Sequence, residues 1–311
     1  MVMLNELEQE EPQHVCLFGL PKSGKTLLAG KLAEKFNLIY IDIENSKDVL
    51  FSLPMEYKKR IEVISIPDSR DFPVASETLA KMTKGKVSIC QKHGKVSCMV
   101  CRREEKEGRA APSTEVDLLN VPLDTIVIFD TCTQFANSIE AHLVKNEPED
   151  YKPGWDEYNA QGAALDRFLS RLQIAPYHLI VITHAVEVEL PNKKKKLVPN
   201  AGTRNFSMSM GKYFNHLVYT EVKNGSHRLG SSTTYDPSVL TGSRLGKSLE
   251  GQAEPSLLPI FGSEFKAPAV QAAQHSTVIK KPALKTTIKA PTKTIQKGGE
   301  NAQDILARLK K

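Results

Sequence analysis

Apolar residues in this chain fall into short continuous runs separated by stretches with a helical period. His14–Phe18 (HVCLF), Leu38–Ile43 (LIYIDI), Ile61–Ile66 (IEVISI), Thr125–Asp130 (TIVIFD) and His178–Thr183 (HLIVIT) are runs of this kind. Runs so short and so little interrupted are expected of strands buried on both faces. Between them, Leu28, Leu32 and Phe36 share a helical spacing, and SETLAKM after the third run reads as helix. Phe135, Ile139 and Leu143 share one helical face, and Tyr158, Leu165, Phe168, Leu169 and Leu172 share another. Leu217–Val222 and Arg228–Tyr235 read as later strands joined at Asn224-Gly225, a dipeptide suited to a two-residue hairpin turn. The alternation predicts an α/β fold: a mostly parallel sheet with helices on both faces.

Two stretches break the pattern. Residues 84–112 replace the alternation with Lys, Gly, Cys and Arg, and read as an inserted module. Residues 266–299 are rich in Lys, Pro, Thr and Ala, with no acidic residue, and read as a disordered basic linker. Lysines at 281, 285, 289, 293 and 297 would make a helical stripe, but Pro282 and Pro291 oppose a stable helix. Residues 300–311 could form a short amphipathic helix carrying Ile305, Leu306 and Leu309. The expected organisation is an extension over 1–12, a core over 13–265 with the insert at 84–112, then linker and terminal helix.

Charge sharpens that division. The net charge of the 311 residues is +6, yet residues 266–311 hold ten Lys/Arg and only two Asp/Glu, leaving the remainder slightly acidic. The basic character belongs to the tail. With 40% hydrophobic and 25% charged residues the composition is that of an ordinary globular protein. The acidic N-terminus is no signal peptide, and no apolar stretch approaches a membrane span. Five cysteines, three of them clustered with a histidine, suit a reducing compartment, so a cytoplasmic protein is expected.

The chemistry starts at Gly19, Leu20, Pro21, Lys22, Ser23, Gly24, Lys25 and Thr26, a full match to G-x-x-x-x-G-K-[ST]. A strand before it and a helix after it are the context that a phosphate-binding loop requires, and they weigh against a chance glycine turn. Glycine lets successive N–H groups face a phosphate. Lys25 would reach the β- and γ-phosphates of a nucleoside triphosphate, and the Thr26 hydroxyl would coordinate Mg²⁺. Asp130, ending an apolar strand, would hold the same Mg²⁺; capping of the following turn is the competing role. Glu44, just past another strand end, could polarise the water that attacks the γ-phosphate; an N-cap or surface carboxylate is the alternative.

Within the insert, Cys90-x2-His93-x4-Cys98-x2-Cys101 gives two ligand pairs able to close a tetrahedron around Zn²⁺. Basic residues flank the pairs, and the segment has few apolar residues, so metal would supply most of its folding free energy. Four unrelated loop residues are the other reading. Catalytic zinc is disfavoured, because the four ligands leave no open position.

The pairing of GLPKSGKT with YIDIEN resembles the RecA/RadA recombinases, whose catalytic glutamate follows the second core strand; by that resemblance Glu44 is that glutamate. VITHAVEV resembles the RecA-type strand whose terminal polar residue senses the γ-phosphate, which places His184 where RecA carries glutamine. A buried, hydrogen-bonded histidine is the bland alternative. The stretch after it carries Lys193, Lys194, Lys195, Lys196 and Arg204, a loop composition suited to a nucleic-acid backbone or to a solvated turn. TGSRLGKS resembles an element whose basic residue reaches a neighbouring subunit's nucleotide, making Arg244 a trans-acting candidate. Together with EVKNG and EPSLLPIF, these motifs resemble the phage-encoded RecA/RadA-like AAA ATPases of the Sak type. The resemblance implies a RecA-like core, ATP, Mg²⁺ and single-stranded DNA as ligands, a homo-oligomer, a bacterial host cytoplasm, and action in recombination or annealing. The terminal helix would dock a single-strand-binding protein. Two rivals stand beside this: a small-metabolite kinase, which lacks an arginine-rich lid here, and an ATP-switched DNA-binding adaptor or helicase loader. A GTPase is disfavoured because no N-K-x-D motif occurs.

Overall fold

Each buried run carries backbone N–H and C=O groups that must be paired away from water, and the runs pair with one another. A computed structural model of the chain describes residues 11–109, 112–244, 246 and 248–262. Its strands are β1 (His14–Gly19), β2 (Asn37–Asp42), β3 (Ile61–Ser65), β4 (Val87–Cys90), β5 (Ser113–Val116), β6 (Thr125–Asp130), β7 (His178–Glu189), β8 (Lys195–Pro199), β9 (His216–Lys223), β10 (Ser226–Gly230) and β11 (Gly242–Ser243). Its α-helices are α1 (Lys25–Gly30), α2 (Met55–Lys58), α3 (Ala75–Met82), α4 (Met99–Lys106), α5 (Cys132–Leu143), α6 (Trp155–Gln173) and α7 (Arg204–Ser209). The basic linker, the terminal helix and residues 1–10 lie outside the described residues.

The main sheet runs β10-β9-β1-β7-β6-β2-β3, with β11 on β9 and β8 on β7. Strands β9, β1, β7, β6, β2 and β3 are mutually parallel, while β10, β11 and β8 are antiparallel additions. Alternate residues on one strand enter opposite layers, as the two-residue period requires. Val127 and Phe129 pack among Leu79, Phe135, Phe168 and Leu172 from α3, α5 and α6. Ile126 and Ile128 pack on the other face, among Leu28, Leu32, Leu257 and Phe261. The mostly parallel sheet with two covered faces is the architecture that the apolar runs predict.

Several local expectations shift. The helix after the phosphate loop has six residues and passes into a 3₁₀ turn over Lys31–Glu34, with buried Phe36 beyond it. Leu143 and Tyr158 are each 40% exposed, so the faces of α5 and α6 begin one turn inside them. Strand β7 runs six residues past Thr183, because Val186 and Val188 continue an alternation that pairs with β8. Strand β10 stops at Gly230, where the Tyr235 ring folds back over the glycine. The predicted turn at Asn224-Gly225 is present, with φ of 55° and 76°.

The insert departs from a purely metal-built module. Strand β4 pairs antiparallel with β5, just past the insert, and Ile89 enters the main core with Val87 and Val96 packed against it. Its inner half is therefore held by apolar packing.

Candidate nucleotide site

Parallel pairing brings the carboxyl ends of β1, β2, β6, β7 and β9 to one edge. Asp42 lies opposite Asp130, and Gly19 lies between His184 and Thr220. The loop after Gly19 turns through left-handed backbone at Lys22 (φ 64°) and Gly24 (φ 87°). Gly19 cannot be replaced without movement, since a Cβ there would lie 2.3 Å from the Thr220 carbonyl oxygen. The Lys25 ammonium donates to the carbonyls of Gly19 (3.0 Å) and Leu20 (2.9 Å). Burial pushes its pKa down, against the opposing pull of Asp130 and Glu44. Ser23 Oγ is buried without a partner among the described residues, beside the position a Gly19 Cβ would take. Glycine backbone turned inward, a buried ammonium and an orphaned hydroxyl are a donor set that fits phosphate.

Asp130 is the hub of the edge. Its Oδ2 accepts from Thr26 Oγ1 at 2.7 Å, from Ser46 Oγ at 2.8 Å and from the buried Tyr40 hydroxyl. Burial pushes the Asp130 carboxyl up, against those three donors. Thr26 and Asp130 are the pair that would hold Mg²⁺, and the structure places them in direct contact. Asp42, one strand over, accepts from the Ser46 backbone N–H at 2.9 Å, with the Lys47 ammonium 3.9 Å from its other oxygen.

Glu44 leaves the end of β2 with its backbone N–H 3.3 Å from the Asp130 carbonyl. Its Oε1 accepts from His184 Nε2 at 2.9 Å. Burial pushes the Glu44 carboxyl up, but hydrogen bonds from His184 and Thr131 and the positive charge of Lys25 outweigh it, so its pKa lies below the ordinary 4.5. The residue is an ionised carboxylate at neutral pH. It suits orienting and polarising a water more than storing a proton. His184 Nδ1 is buried without a partner among the described residues. The His184 backbone N–H donates to Thr133 Oγ1 (3.0 Å), whose hydroxyl also reaches the Asn200 carbonyl (3.0 Å). The ring thus faces Glu44 while its backbone is tied to the base of the β7–β8 hairpin.

The five basic candidates form no loop of their own. Lys193 (φ 60°) and Lys194 make the hairpin turn, Lys195 and Lys196 lie on β8, and Arg204 opens α7. Lys195 pairs with Glu187 at 2.7 Å. Strand pairing replaces the expected loop because Lys195 to Pro199 supplies an extended partner for Ala185 to Glu189. Arg244 stands apart from the rest. It follows β11, which pairs with the start of β9, and its guanidinium donates to the Lys212 carbonyl at 2.8 Å. That is the amino-terminal edge of the sheet, a strand length of roughly 20 Å from the chain's own phosphate loop.

Sequence reasoning passed over Tyr40 and Ser46, which complete the set around Asp130, and the pair that clasps the loop from behind. Thr220 Oγ1 donates to the Ser23 carbonyl at 3.0 Å, and His227 Nδ1 lies 3.1 Å from the same oxygen. Tyr40 opens the YIDIEN stretch but reads there as one more apolar strand residue, and Ser46 lies just past its end; Thr220 and His227 lie in no recognisable motif.

Comparison with family models agrees with the geometry. A family model described as an AAA domain matches residues 11–231. Among solved structures, the chain is similar to a prototypical ATPase from the type III secretion system of pathogenic bacteria, at 10% identity and a TM-score of 0.34, over 67% of this chain and 52% of that one. It is similar too to the ATPase EscN, solved with its central stalk EscO from the type III secretion system of enteropathogenic E. coli, at 10% identity and a TM-score of 0.34, over 67% of this chain and 42% of that one. The chain thus spans about half the length of these proteins or less. Among curated proteins there is no match. Among the described residues no helix is long and apolar enough to cross a membrane. With the AAA domain covering well over half its length, the chain belongs to that AAA-domain family and is a P-loop ATPase.

Proposed function

We propose that the chain is an ATP- and Mg²⁺-dependent ATPase of the RecA/RadA-like, Sak-type group, which couples hydrolysis to binding of single-stranded DNA in recombination or annealing. The observation that carries the reading is the contact between Glu44 and His184 at 2.9 Å. It ties the carboxylate best placed to orient the attacking water to the strand that continues into the lysine-bearing hairpin. Lys25 would hold the β- and γ-phosphates, while Thr26 and Asp130 would hold Mg²⁺, which neutralises phosphate charge as the terminal bond breaks. A change in the partner of Glu44 is felt at His184, then through Thr133 and Asn200 at the hairpin base. Lys193 to Lys196 and Arg204 would meet the DNA backbone, and the basic tail would add affinity without sequence preference. Arg244 serves catalysis only from a neighbouring copy, because in its own chain it lies at the opposite edge of the sheet. That requirement is the reason to expect a homo-oligomer. The terminal segment is the candidate contact for a single-strand-binding protein.

ATP turnover measured with and without single-stranded DNA tests this directly. Stimulation of about tenfold or more is expected. Replacing Lys193 to Lys196 by Ala should lower the slope of log affinity against log salt by about 3, since each single-strand phosphate contact contributes about 0.7. No stimulation and no DNA retention at low salt would sink the reading. A phosphorylated small molecule as product would identify a kinase instead. DNA retention that follows bound ATP, with hydrolysis dispensable, would identify the adaptor or loader.

A further inference from the structure

The cluster of Cys90, His93, Cys98 and Cys101 lies outside the nucleotide machinery, and its four ligand atoms all lie within 4.8 Å of one another. His93 Nδ1 is 3.8 Å from Cys90 Sγ, 3.5 Å from Cys98 Sγ and 3.4 Å from Cys101 Sγ. Zinc bonds of about 2.3 Å to sulfur and about 2.05 Å to nitrogen, opened to a tetrahedral angle, place those atoms about 3.5 Å apart. All five cysteines of the chain are free thiols. The backbone supplies the ligands in pairs. Strand β4 ends on Cys90, a turn through left-handed Gly94 (φ 62°) and Ser97 (φ 57°) follows, and Cys98 caps α4 with Cys101 in its first turn.

Apolar packing does not explain this outer half of the insert. Cys101 is the one buried residue of α4, whereas Met99 and Val100 are 74% and 55% exposed. The three sulfurs form a buried cluster of their own, apart from the main core. A helix start with so little apolar cover needs another source of order, and a metal supplies it.

The inner side of the same turn is pressed against the ATPase core. A Cβ on Gly94 would lie 2.8 Å from Pro67 Cδ and 2.9 Å from Ile66 Cα, and the Gly94 carbonyl accepts from Thr78 Oγ1 at 2.9 Å. The Lys95 ammonium sits 4.0 Å above the Phe72 ring. Between this turn and the end of β2 lies a cleft of about 710 Å³, whose lining includes Glu44, Lys47, Phe72, Lys92 and His93. One metal ligand and one candidate catalytic carboxylate therefore face the same cleft.

We propose that Cys90, His93, Cys98 and Cys101 hold one structural Zn²⁺ ion, and that this ion fixes the outer wall of the cleft that ends at Glu44. Four protein ligands fill the tetrahedron, so the ion takes no part in bond breaking. Its effect on the core passes through Gly94 and the 66–72 segment. The metal assignment is independent of the functional reading above; only an effect of the wall on turnover rests on it.

The test uses the full chain purified under reducing conditions. Elemental analysis should find about one zinc per chain, and cobalt exchanged into the site should show the intense d–d bands and thiolate charge transfer of tetrahedral sulfur coordination. Cys98→Ser and Cys101→Ser should each lose the metal. Chelation should raise hydrogen exchange about tenfold both in residues 91–106 and in residues 66–72. No zinc uptake, or a weak octahedral cobalt spectrum, overturns the site. Faster exchange confined to residues 91–106 overturns the wall. A chain that holds zinc and shows both exchange effects, yet has no DNA-stimulated turnover and retains no DNA at low salt, would leave the metal proposal standing and overturn the functional one.

Discussion

The two candidate sites are built in opposite ways. The nucleotide edge draws Lys25, Thr26, Tyr40, Glu44, Ser46, Asp130 and His184 from four strand ends and the loops after them. Its carboxylates come from two strands, Asp42 and Glu44 from the end of β2 and Asp130 from β6, and parallel pairing alone brings Asp42 beside Asp130. The Cys/His cluster takes all its ligands from residues 90–101, a single turn and the start of one helix. The dispersed site is thus a property of the whole sheet, made rigid by a core to which, of these residues, Tyr40 alone contributes. The compact site is a property of twelve residues and whatever ion joins them. Substitutions at the first should alter chemistry while the fold persists; substitutions at the second should alter local order while the sheet persists.

The largest effect that sharpens this contrast is Glu44→Gln. Turnover should fall about 10²- to 10⁴-fold, the range of a positioned proton acceptor, with nucleotide affinity and thermal midpoint nearly unchanged. A comparable loss of stability would break the contrast, because it would make Glu44 a structural partner of His184. Tyr40→Phe comes next. It removes a buried donor from Asp130 and should cost about 1–2 kcal/mol in denaturant unfolding, with ATP still bound. An unchanged midpoint would mean that Thr26 and Ser46 satisfy the carboxylate by themselves. The smallest effect lies outside both ligand sets, at Glu250, whose carboxylate accepts the backbone N–H groups of Ser231 (2.6 Å) and Ser232 (2.7 Å). Burial pushes its pKa up, but the hydrogen bonds from Ser248 and those backbone groups outweigh it and bring it to about 2, against an ordinary 4.5. Its contribution is complete above pH 4.5 and is lost as pH falls through the folded value. The acid limb of thermal stability between those values should be shallower in Glu250→Gln, with neutral-pH turnover untouched.

The phosphate loop, the parallel strands and the Cys/His cluster were legible because each is written locally. A glycine loop needs its glycines in one place, a buried strand needs a run of apolar residues, and ligand pairs need short spacing. The roles of Tyr40 and Ser46 were hidden, since they depend on β2 lying beside β6, and Tyr40 reads along the chain as one more apolar strand residue. The clasp of Thr220 and His227 on the Ser23 carbonyl was hidden for the same reason, with about 200 residues between its ends. The β7–β8 hairpin could have been found. Val186 and Val188 alternate with Glu187 and Glu189, and four consecutive lysines drew attention away from Leu197 and Val198, which complete the pairing. The displaced position of Arg244 follows from β11 adding to the start of β9, an antiparallel return that no motif announces.

Strand β7 gives the molecule a mechanical property. It is paired with β6 as far as Ile182 and with β1 as far as His184, and beyond that residue it pairs with β8. The arm from His184 to Glu189 is about 17 Å long and is braced through β8, where the Leu197 backbone bonds Ser238 and Leu240; a tilt of about 5° at the histidine would sweep its far end through roughly 1.5 Å. The pivot touches Glu44 and the far end leads into the lysine turn. Stiffness here comes from the ladder between two strands rather than from a helix, and the arm's length sets its gain. Inserting two residues into each strand of the hairpin would preserve the side-chain alternation while lengthening the arm by about 7 Å.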